Sequence, residues 1–508
     1  MTCPVVVRSL SRRAGVLLHL TSLPGRGPVG DIDAALACVG PLAEAGVRLW
    51  QILPLCPADS FGSPYSSWSS LSGSPLLIGL QPLVEAGLLS ADELASAPQS
   101  SRVDHCDLGL ATVWKLPLLE NAARALLADQ AHPWHREWEE HSANHPRVSE
   151  AGLFFALRTA HGGKQWWDWP SPVRNREPAA VEESRSQLRD TIDLWTVLEF
   201  FFARQWSNLR AACAHHGIEL VGDLPIYVGT DSVDVWANPE YFQLGPDRMP
   251  VAVSGCPPDA LNDMGQWWGT PLYRWPAHAA DAFEWWVRRV ERMLQLTDWI
   301  RVDHFVGLVN YWSIPVDSED ARCGSWKAAP GEALLHALAD ALGPLPMVAE
   351  DLGVVSEAVS ALRDDLQIPG MTVLQFAFDG AASDNPHHPS NHPSEALCCT
   401  GTHDTPTLGD WWDALDAKRR GRVLDLLEER GFPLPSRGVA PVRQLVDLCL
   451  SSSAAWSILP LQDLLALGPE GRMNTPGTTS GNWTWRLQEG QLHRALEGFA
   501  ARVVEHKR

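Results

Sequence analysis

Eight short apolar runs, each ending in or beside a polar residue, constrain this 508-residue chain more than any other feature. They read GVLLHL (15–20), RLWQILPL (48–55), IELVGDLPIYV (218–228) and DWIRVDHF (298–305). PMVAEDLG (346–353), MTVLQFAF (371–378), LCCTGTHD (397–404) and AWSILPLQD (455–463) follow. Runs of this length bounded by turn residues predict strands buried on both faces. Helical spacing between them predicts helices over 31–46, which has an acidic start and a closing glycine, over 279–296, and over 356–366 behind a Ser cap. Alternating β and α elements make a parallel sheet. Eight strands with polar C-terminal ends predict an α/β fold, a (β/α)8 TIM barrel with its chemistry on that face. The competitor is a doubly wound open sheet, which advertises a glycine-rich first turn that this chain lacks.

Two stretches are too long for simple βα loops. Residues 82–200 are rich in Leu, Ala, Glu, Arg and Trp and read as an inserted, mostly helical subdomain. Residues 229–275 are rich in Gly, Pro, Asp, Asn and Trp and read as a long ordered loop covering the active site. The expectation is a single barrel spanning 1–508 with both insertions at its C-terminal face, without internal repeats or low-complexity linkers.

The formal net charge of −21 argues against a nucleic-acid partner and against an anionic membrane surface. No apolar run approaches the length of a membrane span. The ten cysteines show no C-x₂-C spacing, which favours reduced thiols in a cytoplasmic enzyme over a disulfide scaffold or a metal site. The first residues, MTCPVVVRSLSRRAG, lack the apolar core of a secretory signal; their Arg and Ser content leaves room only for a very short transit segment. The 24 Trp against 5 Tyr are an excess that core packing explains for any single residue, although indole faces also stack on sugar rings.

Four acids fall at the ends of predicted strands: Asp223, Asp303, Glu350 and Asp404. Carboxyl pairs at such positions suit glycoside chemistry, with one as nucleophile and the other as proton donor. Arg301 and Asp303 are two apart on a strand and share a face. A guanidinium there lowers the acid's pKa and keeps a nucleophile ionised, although a structural ion pair is the commoner meaning of R-x-D. Glu350 follows the apolar Met347-Val348-Ala349, so desolvation is expected to raise its pKa toward that of a general acid; helix capping is the bland alternative, and Asp351 suits it as well. His403 and Asp404 suit hydrogen bonding to sugar hydroxyls, and the lack of a nearby His partner argues against a metal site. No G-x-S-x-G elbow supports a serine hydrolase.

These residues sit in motifs that resemble the amylomaltases, or disproportionating enzymes: the 4-α-glucanotransferases of glycoside hydrolase family 77 in the α-amylase clan. The resemblance runs from GVLLHLTSLPG to MNTPGTTSGNWTWR through WQILPLCPA, SPYSSWS, GDLPIYV, DVWANPEYF, GQWWGTPLYRW, RVDHFVGL, VAEDLG, PGMTVLQFAF, GTHDTPTLGDWW and LPLQDLL, all in the family's order. It implies retaining transfer of α-1,4-glucan segments through a covalent glucosyl-enzyme. Asp303 would be the nucleophile, Glu350 the acid/base, Asp404 the transition-state stabiliser and Arg301 the group positioning Asp303. His304 and His403 would contact ring hydroxyls, Asp223 would support the site from beneath, and Tyr65 would be an aromatic platform. The segment 255–265 would close over the acceptor side, followed by Gln266 and Trp268, and Asn474, Pro476 and Gly477 would line the donor groove.

The implied partners are malto-oligosaccharides, amylose or starch, and glycogen-derived glucans, with no cofactor and no metal, structural Ca²⁺ included. The sequence departs from the family pattern at Asp259-Ala260-Leu261, where an aromatic commonly follows Pro-Pro-Asp. It also has Thr270 in place of Asn, and Ser74-Pro75-Leu76 in place of Asn-Pro-Tyr. These leave the acids untouched and bear on acceptor choice, product size and large-ring cyclisation. The residues alone reach only α-glycoside processing, because water and sugar resolve the same intermediate. A retaining hydrolase of the clan and a catalytically inactive glucan-binding barrel are the alternatives.

Overall fold

The computed structural model describes residues 8–98, 100–258, 263–353, 355–436 and 438–508. Eight strands form one wholly parallel sheet: β1 (Arg13–Leu17), β2 (Leu49–Gln51), β3 (Glu219–Leu224), β4 (Trp299–Val302), β5 (Met347–Ala349), β6 (Gly370–Val373), β7 (Ala396–Cys399) and β8 (Trp456–Pro460). The hydrogen-bonded order is β6-β7-β8-β1-β2-β3-β4-β5. Ala349 N–H donates to Pro369 O at 2.8 Å, joining the two ends of that order and closing the barrel. Each predicted run overlaps one of these strands, and almost every strand residue is buried, as a barrel jacketed by helices requires. Where β1 and β2 approach, a Cβ on Gly15 would come within 2.5 Å of Leu49 O, so only glycine fits there.

The jacket follows the predicted helices with one break. Ile32–Glu44 starts at Asp31, whose carboxylate accepts the Ala34 N–H, and ends before Gly46 at φ 82°. Glu357–Asp365 follows Ser356. The helix expected over 279–296 is two pieces, Trp275–Ala280 and Glu284–Leu296, because Ala282 and Phe283 both take left-handed backbone and send the Phe283 ring into the core. The Trp excess divides in the same way. Trp50, Trp166, Trp206, Trp236, Trp299 and Trp456 are fully buried side chains.

Residues 82–200 are helical over Leu108–Ala128, Pro133–Asn144, Pro146–Ala160 and Pro178–Gln187, and the last helix, Arg189–His215, runs past the expected boundary to lead into β3. Residues 229–275, read from the sequence as loop, carry two strands, Ala252–Cys256 and Gln266–Pro271. These join Asn310–Pro315 and Ser325–Ala328 in a four-stranded antiparallel sheet, so the unit is built from the loops after β3 and after β4 together. Pattern reading missed it because these strands are short, and Gly, Pro and Asp flank them. No helix among the described residues is long and apolar enough to cross a membrane.

Candidate active site

The strand ends bring the acids to one mouth. Asp223 lies within the last two residues of β3, while Asp303 and Glu350 directly follow β4 and β5; Asp404 lies just beyond β7. At the centre is Arg301, wholly buried on β4. Its Nη1 stands 2.6 Å from both Asp223 carboxylate oxygens and 3.2 Å from Asp303 Oδ1, while its Nη2 pairs with Glu350 Oε1 at 2.8 Å. Arg301 is therefore held hardest by Asp223 and Glu350, and touches Asp303 more lightly than the R-x-D pattern suggested.

Asp404 joins the cluster through aromatic rings. Tyr65 donates its hydroxyl to Asp223 Oδ2 at 2.9 Å and stacks on His403 with centroids 5.0 Å apart and planes 13° from parallel. His403 Nε2 stands 3.3 Å from Asp404 Oδ2, and Asn474 Nδ2 donates to Asp404 Oδ1 at 2.6 Å. Glu199, Gln205 and Asp234 anchor the loop that carries Tyr65. Its loop is tied to the helix Arg189–His215 by Gly73 N–H on Glu199 at 2.8 Å and Gly79 N–H on Gln205 at 2.7 Å. Ser70 ties the same loop to Asp234 through its N–H and its hydroxyl.

Three carboxyl groups around one guanidinium do not all ionise together. Burial, and then the charge of Glu350, push Asp303 well above the usual carboxylate range. Burial alone would raise Glu350 as well, but Arg301 and the His304 N–H at 2.6 Å hold it below its ordinary value. This reverses the sequence expectation of a low Asp303 and a high Glu350. The reason is geometric: Arg301 Nη2 lies 2.8 Å from Glu350, which also receives a backbone N–H, whereas Asp303 has only the longer contact at 3.2 Å. Asp223, Glu350 and Asp303 in turn raise Arg301 against the effect of burial.

On the other side of the mouth, Trp268 packs edge-on against His304 at 4.8 Å, and its Nε1 donates to Gln266 Oε1 at 3.0 Å. Burial lowers the His304 pKa. Pro476 and the exposed Gly477, at φ 80°, lie in the loop that follows Asn474. Asn482 closes that loop by accepting the Thr475 N–H at 2.9 Å. Of the segment 255–265, expected from the sequence to close over the acceptor side, residues 259–262, and with them the Ala260 departure, lie outside the described residues. Thr270 is buried against the Ser254 hydroxyl at 2.5 Å, a bond between neighbouring strands of the small sheet. Ser74 is buried at the start of a 3₁₀ turn, and Leu76 packs on a satellite cluster containing Val29 and Cys106.

Three residues missed in the sequence also belong to this neighbourhood. His19, at the mouth of β1, is buried near His403 and driven to a pKa of about 3 by desolvation. Arg472 donates to the carbonyls of Asn474 and Asp404. Trp483 lies 5.6 Å from the Tyr65 ring. The signals were present: a His ending the first apolar run, and a Trp inside the final motif.

A closed parallel barrel whose C-terminal mouth gathers acids around a buried arginine is the architecture of barrel enzymes that work on glycosidic bonds. Residues 18–492 match the glycoside hydrolase family 77 model, described as 4-alpha-glucanotransferase. The chain belongs to that family. It is 41% identical over 501 residues to the chloroplastic/amyloplastic 4-alpha-glucanotransferase of Solanum tuberosum, covering 97% of this chain and 85% of that one. Over 490 residues it is 41% identical to the 4-alpha-glucanotransferase of Thermus thermophilus, covering 95% and 96%. Among solved structures, the amylomaltase from Streptococcus agalactiae in complex with acarbose superposes with a TM-score of 0.93 at 31% identity, over 98% of this chain and 99% of that one.

Proposed function

We propose that this chain is a retaining 4-α-glucanotransferase acting on malto-oligosaccharides and on amylose, starch or glycogen-derived glucans, with Asp303 as nucleophile and Glu350 as acid/base. The observation that carries the assignment is that both carboxyl groups contact the same buried guanidinium of Arg301. A glucose ring bound at the mouth presents C1 to Asp303 and its glycosidic oxygen to Glu350. For the reaction the pair carries one proton on Glu350, with Asp303 ionised. Asp303 then attacks C1, the C1–O4 bond breaks, and Glu350 gives its proton to the leaving O4. In the second half Glu350 takes the proton of an acceptor 4-OH, whose oxygen attacks C1 and releases Asp303.

In this reading Asp404, aligned by Asn474 and His403, holds ring hydroxyls beside the cleavage point, and Tyr65 lies beneath the ring. Asp223 fixes Arg301, and Gln266, Trp268 and His304 receive the acceptor. Pro476 and Gly477 border the donor chain. The segments 82–200 and 229–275 act as subdomains of one barrel spanning 1–508, the first bracing Tyr65 and the second covering the acceptor side.

Incubation with maltotriose tests the reading. Transfer gives glucose together with longer oligomers, whereas a hydrolase gives reducing ends stoichiometric with bonds cut. An Asp303→Asn variant with full activity would overturn the choice of nucleophile.

A further inference from the structure

Three tryptophans stand on one rung of the small antiparallel sheet. Trp267 lies opposite Gly255, Gly255 opposite Trp312, and Trp312 opposite Trp326. Residues directly opposite each other share a face, so the three indoles project from the same side. Gly255 carries no side chain, and Ile314 fills the step between the first two: a Cβ on Gly255 would come within 2.6 Å of Ile314 Cδ1. Trp267 is 39% exposed and Trp326 41% exposed. Trp312 is fixed between them: its Nε1 donates to Ala321 O at 2.8 Å, and its ring meets that of Trp326 edge-on at 5.2 Å. A Cβ on Gly324 would reach within 2.2 Å of the Trp312 ring, so glycine there leaves room for the indole. Across three strand spacings the rung is about 14 Å long.

Core packing explains the buried tryptophans but not Trp267 and Trp326, which leave large aromatic faces in water. The shape of the strip selects the occupant. It is one side chain wide and several sugar rings long, a poor match for the roughly 800 Å² that each partner contributes to a stable protein interface. It does match a single linear chain whose rings offer C–H faces to indoles. Its position points the same way. Trp267 sits between Gln266 and Trp268 on the sheet's edge strand, and Trp268 turns to the opposite side, where it meets His304. A glucan leaving the candidate site past Trp268 therefore meets the rung on crossing that edge.

We propose that Trp267, Trp312 and Trp326 form a second binding site for α-1,4-glucan chains, engaging substrates too long to be held by the cleft alone. The proposal rests on the α-glucan reading of the cleft. The test uses the full chain with Trp267→Ala, Trp326→Ala and the double variant, compared with Trp267→Tyr and Trp326→Tyr, which keep a flat ring. For the double alanine variant the KM for amylose rises about tenfold at unchanged kcat. Retardation in amylose-containing native gels is lost, while kcat/KM for maltotriose stays within about twofold. The tyrosine variants retain most of the amylose binding. Unchanged amylose KM and gel mobility in the double variant overturn the proposal, as does a change of oligomeric state on gel filtration, which would mark the strip as an interface between copies. A wild-type protein that fails to rearrange maltotriose defeats the α-glucan reading itself. If wild type rearranges maltotriose and the variants bind amylose normally, only the role of the rung fails.

Discussion

The His304 backbone N–H donates to Glu350 Oε2 across 2.6 Å, and the left-handed φ of 47° at His304 is what turns it there. That conformation costs a non-glycine residue on the order of 1 kcal/mol or more, and the charge-assisted bond offsets it. With Arg301 beside its other oxygen, Glu350 is held below its ordinary pKa, while burial and the Glu350 charge push Asp303 well above its own. The pair therefore loses its first proton above the ordinary carboxylate range and takes up a second only below the Glu value. The kcat/KM for maltotriose is expected to be bell-shaped, with its acid limb below pH ~4.3 and its alkaline limb well above that of an isolated carboxyl group. Limbs that both fall at ordinary carboxylate values would show that the two groups titrate independently.

Opposite shifts at two neighbouring acids imply opposite stability effects. A raised folded-state pKa means that the stability due to Asp303 falls as pH climbs from the unfolded value through the folded one. A lowered pKa means that Glu350 adds stability above its unfolded value, which is lost as pH drops through the folded one. At neutral pH Asp303→Asn is expected to raise stability and Glu350→Gln to lower it, each by about 1–3 kcal/mol, with Tm moving in the same direction as stability. Both variants lose activity on maltotriose, the first by at least about 10³-fold and the second by roughly 10²–10⁴-fold. Thermal melts across pH, read beside turnover, decide the matter. Tm shifts of the same sign would contradict the assigned proton distribution.

The barrel was legible because buried parallel strands leave continuous apolar runs, and all eight fell where those runs were. The acids were legible because they end those strands. Which acid holds the proton was not, since that depends on the direction of an Arg301 nitrogen and a His304 N–H, and neither is encoded in spacing. The small sheet was hidden for a related reason. Its partners come from two loops separated by β4 and the helix before it, so no local window contains the pairing that makes 252–256 a strand. His19 and Trp483 join the neighbourhood only through the stack of Tyr65 on His403, a contact among residues far apart in the chain.

Tyr65 does two separable things: its hydroxyl binds buried Asp223, and its ring stacks on His403. Tyr65→Phe removes one hydrogen bond from a buried carboxylate that still has Arg301, an expected cost of about 1 kcal/mol in stability and less than about tenfold in kcat/KM. Tyr65→Ala also removes the support of His403, and with it the alignment of Asp404; a loss of about 100-fold or more is expected. Equal losses in the two variants would show that the hydroxyl, not the ring, is what the site needs.

Trp268 bears on whether sugar or water resolves the covalent intermediate. Its indole stands edge-on to His304, next to the Glu350 that must deprotonate the acceptor, and its Nε1 is fixed on Gln266. A glucose held against this wall fills the space from which water would attack, and its 4-OH is aligned for Glu350. In Trp268→Ala the wall is gone, while Asp303, Arg301 and Asp404 keep their contacts. The ratio of hydrolysis to transfer on maltotriose is then expected to rise roughly tenfold. Formation of the glycosyl-enzyme from α-maltosyl fluoride changes by less than about threefold, because that half-reaction needs no acceptor. An unchanged ratio would move the acceptor site away from Trp268, whereas equal losses in both measurements would place the indole under the donor ring instead.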